Sequence, residues 1–92
     1  MERIECRVTG RVQGVFYRDF ARIFAGDIGV TGYATNLLDG SVRVVAEGER
    51  KKLVRFIAIL QKGSPHSRVA NVEAKWSSGT GEFSSFFNRD EI

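Results

Sequence analysis

Apolar and polar residues alternate from Arg3 to Thr9, with Ile4, Cys6 and Val8 on one side and Arg3, Glu5 and Arg7 on the other. A period of two predicts a strand with one buried face and one wet face. Gly10-Arg11-Val12-Gln13-Gly14 breaks the alternation as a loop bracketed by glycines. From about Phe16 the period lengthens, and Phe20, Phe24 and Ile28 fall at i, i+4 and i+8 along one helical stripe. Gly29 stands at the expected C-terminal stop, while Gly26 costs the last turn about 1 kcal/mol relative to Ala. Thr31–Leu37 and Ser41–Glu47 read as strands, and the Leu38-Asp39-Gly40 between them is a strong hairpin signal.

The clearest periodicity comes next. Leu53, Phe56, Ile57 and Leu60 share one helical face opposite Lys51, Lys52 and Arg55, and Gly63 then Pro65 supply the stop. A fourth strand runs from Arg68 to Trp76, with Val72, Ala74 and Trp76 on one face and Asn71, Glu73 and Lys75 on the other. Ser77–Glu82 is a polar loop, and Phe83–Arg89 offers a short fifth strand. The order β-α-β-β-α-β is the split β-α-β, ferredoxin-like arrangement. It predicts an α+β fold, a two-layer α/β sandwich in which two amphipathic helices cover one face of a mostly antiparallel sheet. With no linker and no internal repeat, residues 1–92 are expected to form a single domain.

Composition narrows the function classes. The chain is 42% hydrophobic and 27% charged, which is globular usage. A single Cys excludes an internal disulfide framework, and one Cys with one His excludes a structural zinc cluster. The longest apolar run, Phe56–Leu60, falls far short of the ~20 residues of a membrane span. No apolar leader follows Met1, so a cytoplasmic location is expected, and separately a monomer without membrane contacts. The net charge of +3 comes from interspersed cations, with arginine the commoner, and favours small anionic ligands over cationic ones. An RNA-binding domain of the same element order needs aromatics on the open sheet face. Strand one offers Arg3, Glu5 and Arg7 there and strand three Arg43, Val45 and Glu47, so no nucleic acid partner is expected.

The turn from the first strand into the first helix is the place for chemistry. Closely spaced glycines let successive N–H groups face inward, and the helix start adds unpaired N–H groups and a dipole that favours an anion. Arg18, in the first helical turn, can close over whatever the loop holds. The structural alternative is a plain tight turn with Arg18 in solvent.

Gly10-Arg-Val-Gln-Gly-Val-Phe-Tyr-Arg18 resembles the first signature of the acylphosphatase family, and Gly32-Tyr-Ala-Thr-Asn36, followed by Gly40, Val42 and Gly48, resembles the second. The likeness extends through Lys62-Gly63-Ser64-Pro65 and Arg68-Val69. Tyr17 stands where the family usually has Phe or Met, and brings a hydroxyl that needs a partner if buried. Thr35 replaces a long basic or polar residue beside the site. The resemblance implies hydrolysis of acyl phosphates to carboxylate and inorganic phosphate. It implies that the backbone amides of Gln13, Gly14, Val15, Phe16, Tyr17 and Arg18, with the Arg18 guanidinium, hold the substrate phosphate, and that Arg18 and Asn36 are catalytic, with Asn36 orienting the water. No cluster of carboxylates resembles a magnesium site, so no metal and no cofactor are expected, and a leaving carboxylate of pKa ~4 makes no general acid obligatory.

The alternatives are specific. Asn36 beside a hairpin can bond its own turn backbone. Asp19 fits the helix N-terminus better than a base, Cys6 reads as inert core, His66 as an exposed turn residue and Trp76 as core. Tyr33 is either a wall near the acyl group or surface. A non-catalytic phosphate or acyl-phosphate binding module is the alternative to the enzyme.

Overall fold

The computed structural model describes residues 1–90. Strand β1 (Glu2–Arg11) pairs antiparallel with β3 (Val42–Gly48) on one side and β4 (Arg68–Ser78) on the other. Strand β2 (Thr31–Asn36) continues the sheet beyond β3, and β5 (Phe86–Arg89) adds to its edge in parallel, giving the order β4-β1-β3-β2-β5. Helices α1 (Tyr17–Ile28) and α2 (Arg50–Lys62) cover one face. This is the ferredoxin-like sandwich, with the short fifth strand present and all pairings but the last antiparallel. No helix among the described residues is long and apolar enough to cross a membrane.

The core follows the strand alternation. Ile4, Cys6 and Val8 are buried on the helix side with Val42, Val44 and Ala46, and Leu53, Phe56 and Leu60 of α2 close over them. Val72, Ala74 and Trp76 pack at the margin of this core.

Helix α1 differs from its expected stripe. Its buried residues are Tyr17, Ala21, Ala25 and Ile28, while Phe20 is half-buried and Phe24 exposed. Small side chains at Ala21 and Ala25 let the helix backbone approach the layer beneath, and the bulkier phenylalanines take the rim. Hydrophobicity ranks Phe above Ala, but steric fit chooses the buried row.

The Arg50-Lys51-Lys52 cluster also finds a place. Arg50 bonds Glu2 at 2.7 Å and lies 4.6 Å over the Trp76 ring. A Cβ on Gly29 would sit 3.2 Å from Lys52 Nζ, so this cation lies at the C-terminal, negative end of α1.

On the outer face the chain after β4 folds back over the sheet. Phe83 packs edge-on to Tyr33 at 5.9 Å, Phe87 lies 6.0 Å from it, and Arg89 stacks over it at 4.7 Å. Tyr33 is therefore buried on the face away from the helices, rather than forming a wall for an acyl group. The aromatics of this face come from β2, β5 and the loop, outside the strands whose polar pattern argued against RNA binding.

Glu47, expected in solvent, is 1% exposed. Its carboxylate accepts hydrogen bonds from Arg3 Nη1 at 3.0 Å, Gly81 N at 2.9 Å, and Thr80 N and Oγ1 at 3.0 and 2.9 Å. The polar Ser77–Glu82 stretch thus becomes a lid that supplies donors to a buried charge. Burial alone would raise the pKa of this carboxyl. The N–H groups of Gly81 and Thr80, the Thr80 hydroxyl and Arg3 outweigh it and hold the pKa below the ordinary value of 4.5.

A depressed folded pKa means that this stabilisation is complete above pH 4.5 and is lost as the pH falls through the folded value. Glu47→Gln is expected to lower the unfolding free energy at neutral pH by about 2 kcal/mol in urea titrations. It is also expected to flatten the acid limb of stability. A variant with native midpoint and native acid limb would remove this role from Glu47.

Candidate active site

Five residues carry the chain from β1 into α1, and their backbone is shaped from both ends. Pairing of β1 with β4 shifts register between Thr9 and Gly10, where φ is 116° and a Cβ would lie 2.1 Å from the Arg68 carbonyl oxygen. Val12 and Val15 then sink their side chains into the core. Phe16 adopts a left-handed conformation, φ 60° and ψ 26°, directly before α1. For a non-glycine residue this costs about 1 kcal/mol, and such strain gathers at functional sites.

The consequence is a loop whose carbonyls and N–H groups are treated differently. Ser64 Oγ donates to Val15 O at 3.3 Å, and Phe20 N donates to Phe16 O at 3.1 Å. Among the described residues, nothing accepts a hydrogen bond from the N–H groups of Gly14 through Asp19. Unpaired N–H groups at a tight turn and a helix start form an anion-binding concavity.

Gln13 fixes this loop to the neighbouring hairpin. Its Nε2 donates to Leu37 O at 2.8 Å and Ser41 O at 2.9 Å. That contact brings Asn36, the last residue of β2, to the rim of the loop. Gly14, Phe16, Tyr17, Arg18, Asn36 and Asn88 line one cleft of about 350 Å³, with Val12 and Asp19. Arg18 is half-buried, and its Nη1 donates to Arg89 O at 3.3 Å.

Asn36 does not serve its turn. The hairpin is held by Asp39 Oδ1, which accepts from Ser41 N at 2.9 Å and from the Ser41 hydroxyl, and by Gln13. Asn36 Oδ1 is buried with no hydrogen-bond partner among the described residues. A buried amide oxygen left unpaired is costly unless a ligand or water completes it.

The side chains of the loop have structural tasks of their own, while its backbone amides face the turn. The side chains of Gln13 and Val15 do not line the cleft, since one braces the hairpin and the other packs in the core. The Tyr17 hydroxyl is buried and donates to Leu60 O at 2.8 Å, so this side chain ties α1 to α2. Burial pushes its pKa well above the usual phenol value. Thr35 lies on the outer sheet face with Tyr33, not beside the cleft. Cys6 is core, its thiol pushed up to about 12 by burial, and His66 is exposed.

Asp19 and Asn88 were not among the expected site residues. Asn88 Nδ2 donates to Asp19 Oδ1 at 2.7 Å, and Arg22 Nη2 lies 3.7 Å from the same oxygen. The only sequence signal for Asn88 was the short β-run at Phe83–Arg89. Its parallel pairing with β2, which carries Asn88 to α1, is a tertiary event.

A family model described as Acylphosphatase matches residues 4–87. The chain is 44% identical to an acylphosphatase of Dehalococcoides mccartyi over 87 residues, covering 94% of this chain and 96% of that protein. It is 47% identical to an acylphosphatase of Deinococcus radiodurans over 79 residues, covering 86% and 91%. The crystal structure of acylphosphatase from Bacillus subtilis superposes with a TM-score of 0.93 at 31% identity, over 97% of this chain and 99% of that one.

Gln13→Ala removes the brace between loop and hairpin. It is expected to lower stability by about 1 kcal/mol in thermal or urea unfolding. It should also weaken inorganic phosphate binding in calorimetric titrations, because the loop loses its fixed distance to the hairpin. Native phosphate affinity in a destabilised variant would show that the loop holds its shape without Gln13.

Proposed function

The chain belongs to the acylphosphatase family and is an enzyme, and we propose that it hydrolyses acyl phosphates in the cleft between the Gly14–Asp19 turn and Asn36. The observation that carries the reading is the pairing, in one cleft, of unpaired backbone N–H groups and the Arg18 guanidinium with an Asn36 amide that bonds nothing else.

The phosphoryl oxygens sit against the N–H groups of the turn, and Arg18 neutralises their charge. These donors are fixed before substrate arrives, so charge developing on the equatorial oxygens is met without reorganisation. Asn36 positions the attacking water through its side-chain amide, with the water oxygen toward phosphorus. The water oxygen bonds to phosphorus as the bond from phosphorus to the acyl oxygen breaks. The carboxylate leaves with the electron pair, and the water proton passes to a phosphoryl oxygen. A leaving carboxylate of pKa ~4 needs no general acid, and the reading assigns no metal.

Asp19 fits beside the cleft because Asn88 and Arg22 hold its carboxylate. The names of the relatives favour turnover over a binding module that keeps phosphate without reacting. A lone buried thiol at Cys6 fits a reducing compartment, and the proposed setting is a cytoplasmic, single-domain monomer.

With a simple acyl phosphate as substrate and a chelator present, Arg18→Ala is expected to lower kcat/KM by about 10³-fold or more. Asn36→Ala should lower kcat by about 10²-fold with a smaller change in KM. Both variants should melt close to the native temperature, since Arg18 makes one backbone contact and Asn36 none. Turnover equal to the native enzyme in either folded variant would take that residue out of the mechanism.

A further inference from the structure

Beside the phosphate cleft runs a second, apolar groove of about 300 Å³. Phe20, Ile23 and Phe24 of α1 form one wall and Pro65 and His66 the other, with Val15 and Ser64 beneath. Phe16 and Asp19 line both the groove and the cleft, so the two concavities meet at the left-handed turn.

The groove takes up apolar side chains that the core only partly uses or leaves in solvent. Phe20 and Phe24 carry the helical period of a core stripe, yet the core of α1 is Tyr17, Ala21, Ala25 and Ile28. Phe16 is 76% exposed and Ile23 53% exposed, so these large apolar side chains stand in water along one side of α1. Packing of the domain does not call for them there.

Resting on the acyl-phosphate reading above, the geometry points to this groove as the site for the substrate's acyl group, and to an apolar, uncharged acyl group as its occupant. The acyl carbon is joined to phosphorus through a single oxygen, so an acyl group leaves the phosphate cleft next to the loop. On one side it meets the polar amides of Asn36 and Asn88, and on the other the Phe16 ring and the groove. A volume near 300 Å³ is at the small end of ligand pockets and suits an aryl or short aliphatic chain. Phe16 is thereby a specificity residue, its ring held at the junction by the backbone that also aims the N–H groups.

The test is steady-state kinetics with acetyl, butyryl, hexanoyl and benzoyl phosphate, on the native enzyme and on Ile23→Ser and Phe24→Ser. The aliphatic series holds the leaving-group pKa nearly constant, so changes in KM report on the acyl chain. In the native enzyme KM is expected to fall about threefold per added methylene until the groove is filled. In each variant the hexanoyl-to-acetyl ratio of kcat/KM should drop by about tenfold. Both substitutions are at exposed positions, and melting curves are the check that the variants fold.

A flat native series with measurable acetyl phosphate turnover overturns the inference while leaving the acyl-phosphate reading intact. So does a steep series that neither variant alters. Variants that change the sedimentation of the chain without changing the ratio assign the groove to a second copy and overturn it likewise. Failure of the folded native enzyme to hydrolyse any of the substrates removes the underlying reading, and this inference with it.

Discussion

The left-handed backbone at Phe16 is the constraint on which the site depends. The chain must pass from a central strand into a covering helix within a few residues, and it does so by reversing handedness directly before α1. That reversal turns the carbonyls of Val15 and Phe16 toward Ser64 and Phe20, and leaves the N–H groups of Gly14–Asp19 together and unpaired. The same reversal leaves a large aromatic ring in solvent at the mouth of the cleft. A conformation costing about 1 kcal/mol therefore shapes both concavities at this end of the molecule.

The rest of the cleft is brought to this loop by contacts between distant elements. Gln13 bridges to the β2–β3 hairpin and sets the distance to Asn36. Strand β5, adding in parallel to β2, carries Asn88 to Asp19 and the Arg89 carbonyl to Arg18. Beneath them Tyr17 ties the start of α1 to the end of α2 through a buried hydrogen bond.

The opposite face of the sheet solves a separate problem. A sandwich with helices on one side leaves the other side of its strands to water, and Glu47 and Tyr33 would stand there unprotected. The segment after β4 covers them, supplying N–H and hydroxyl donors to Glu47 and the Phe83 ring to Tyr33. Arg3 joins the carboxylate from the adjacent strand and also lies 5.6 Å over Phe83, so the lid is fastened by charge and ring together. A buried carboxylate with this many donors also fixes where the lid settles, because a displaced lid would leave the charge unpaired.

The sequence by itself determined the element order and the location of the loop. Strand alternation at Ile4, Cys6 and Val8, the Leu53-Phe56-Leu60 stripe and the Asp39-Gly40 turn are local signals, and the first four strands formed within about two residues of their reading, while β5 begins three residues later than Phe83. The glycines marked the turn between β1 and α1 for the same reason, since backbone freedom is legible residue by residue. What the tertiary structure decided were choices among competing neighbours. Alanine rather than phenylalanine faces the core from α1 because close approach of helix to sheet selects small side chains. Glu47 is buried because a loop distant in sequence lands on it, and Asn88 reaches the cleft because a parallel pairing carries it there. Asn36 stays unbonded because Asp39 and Gln13 hold the hairpin in its place. Such outcomes depend on which groups meet across the fold, and no periodicity along the chain records that.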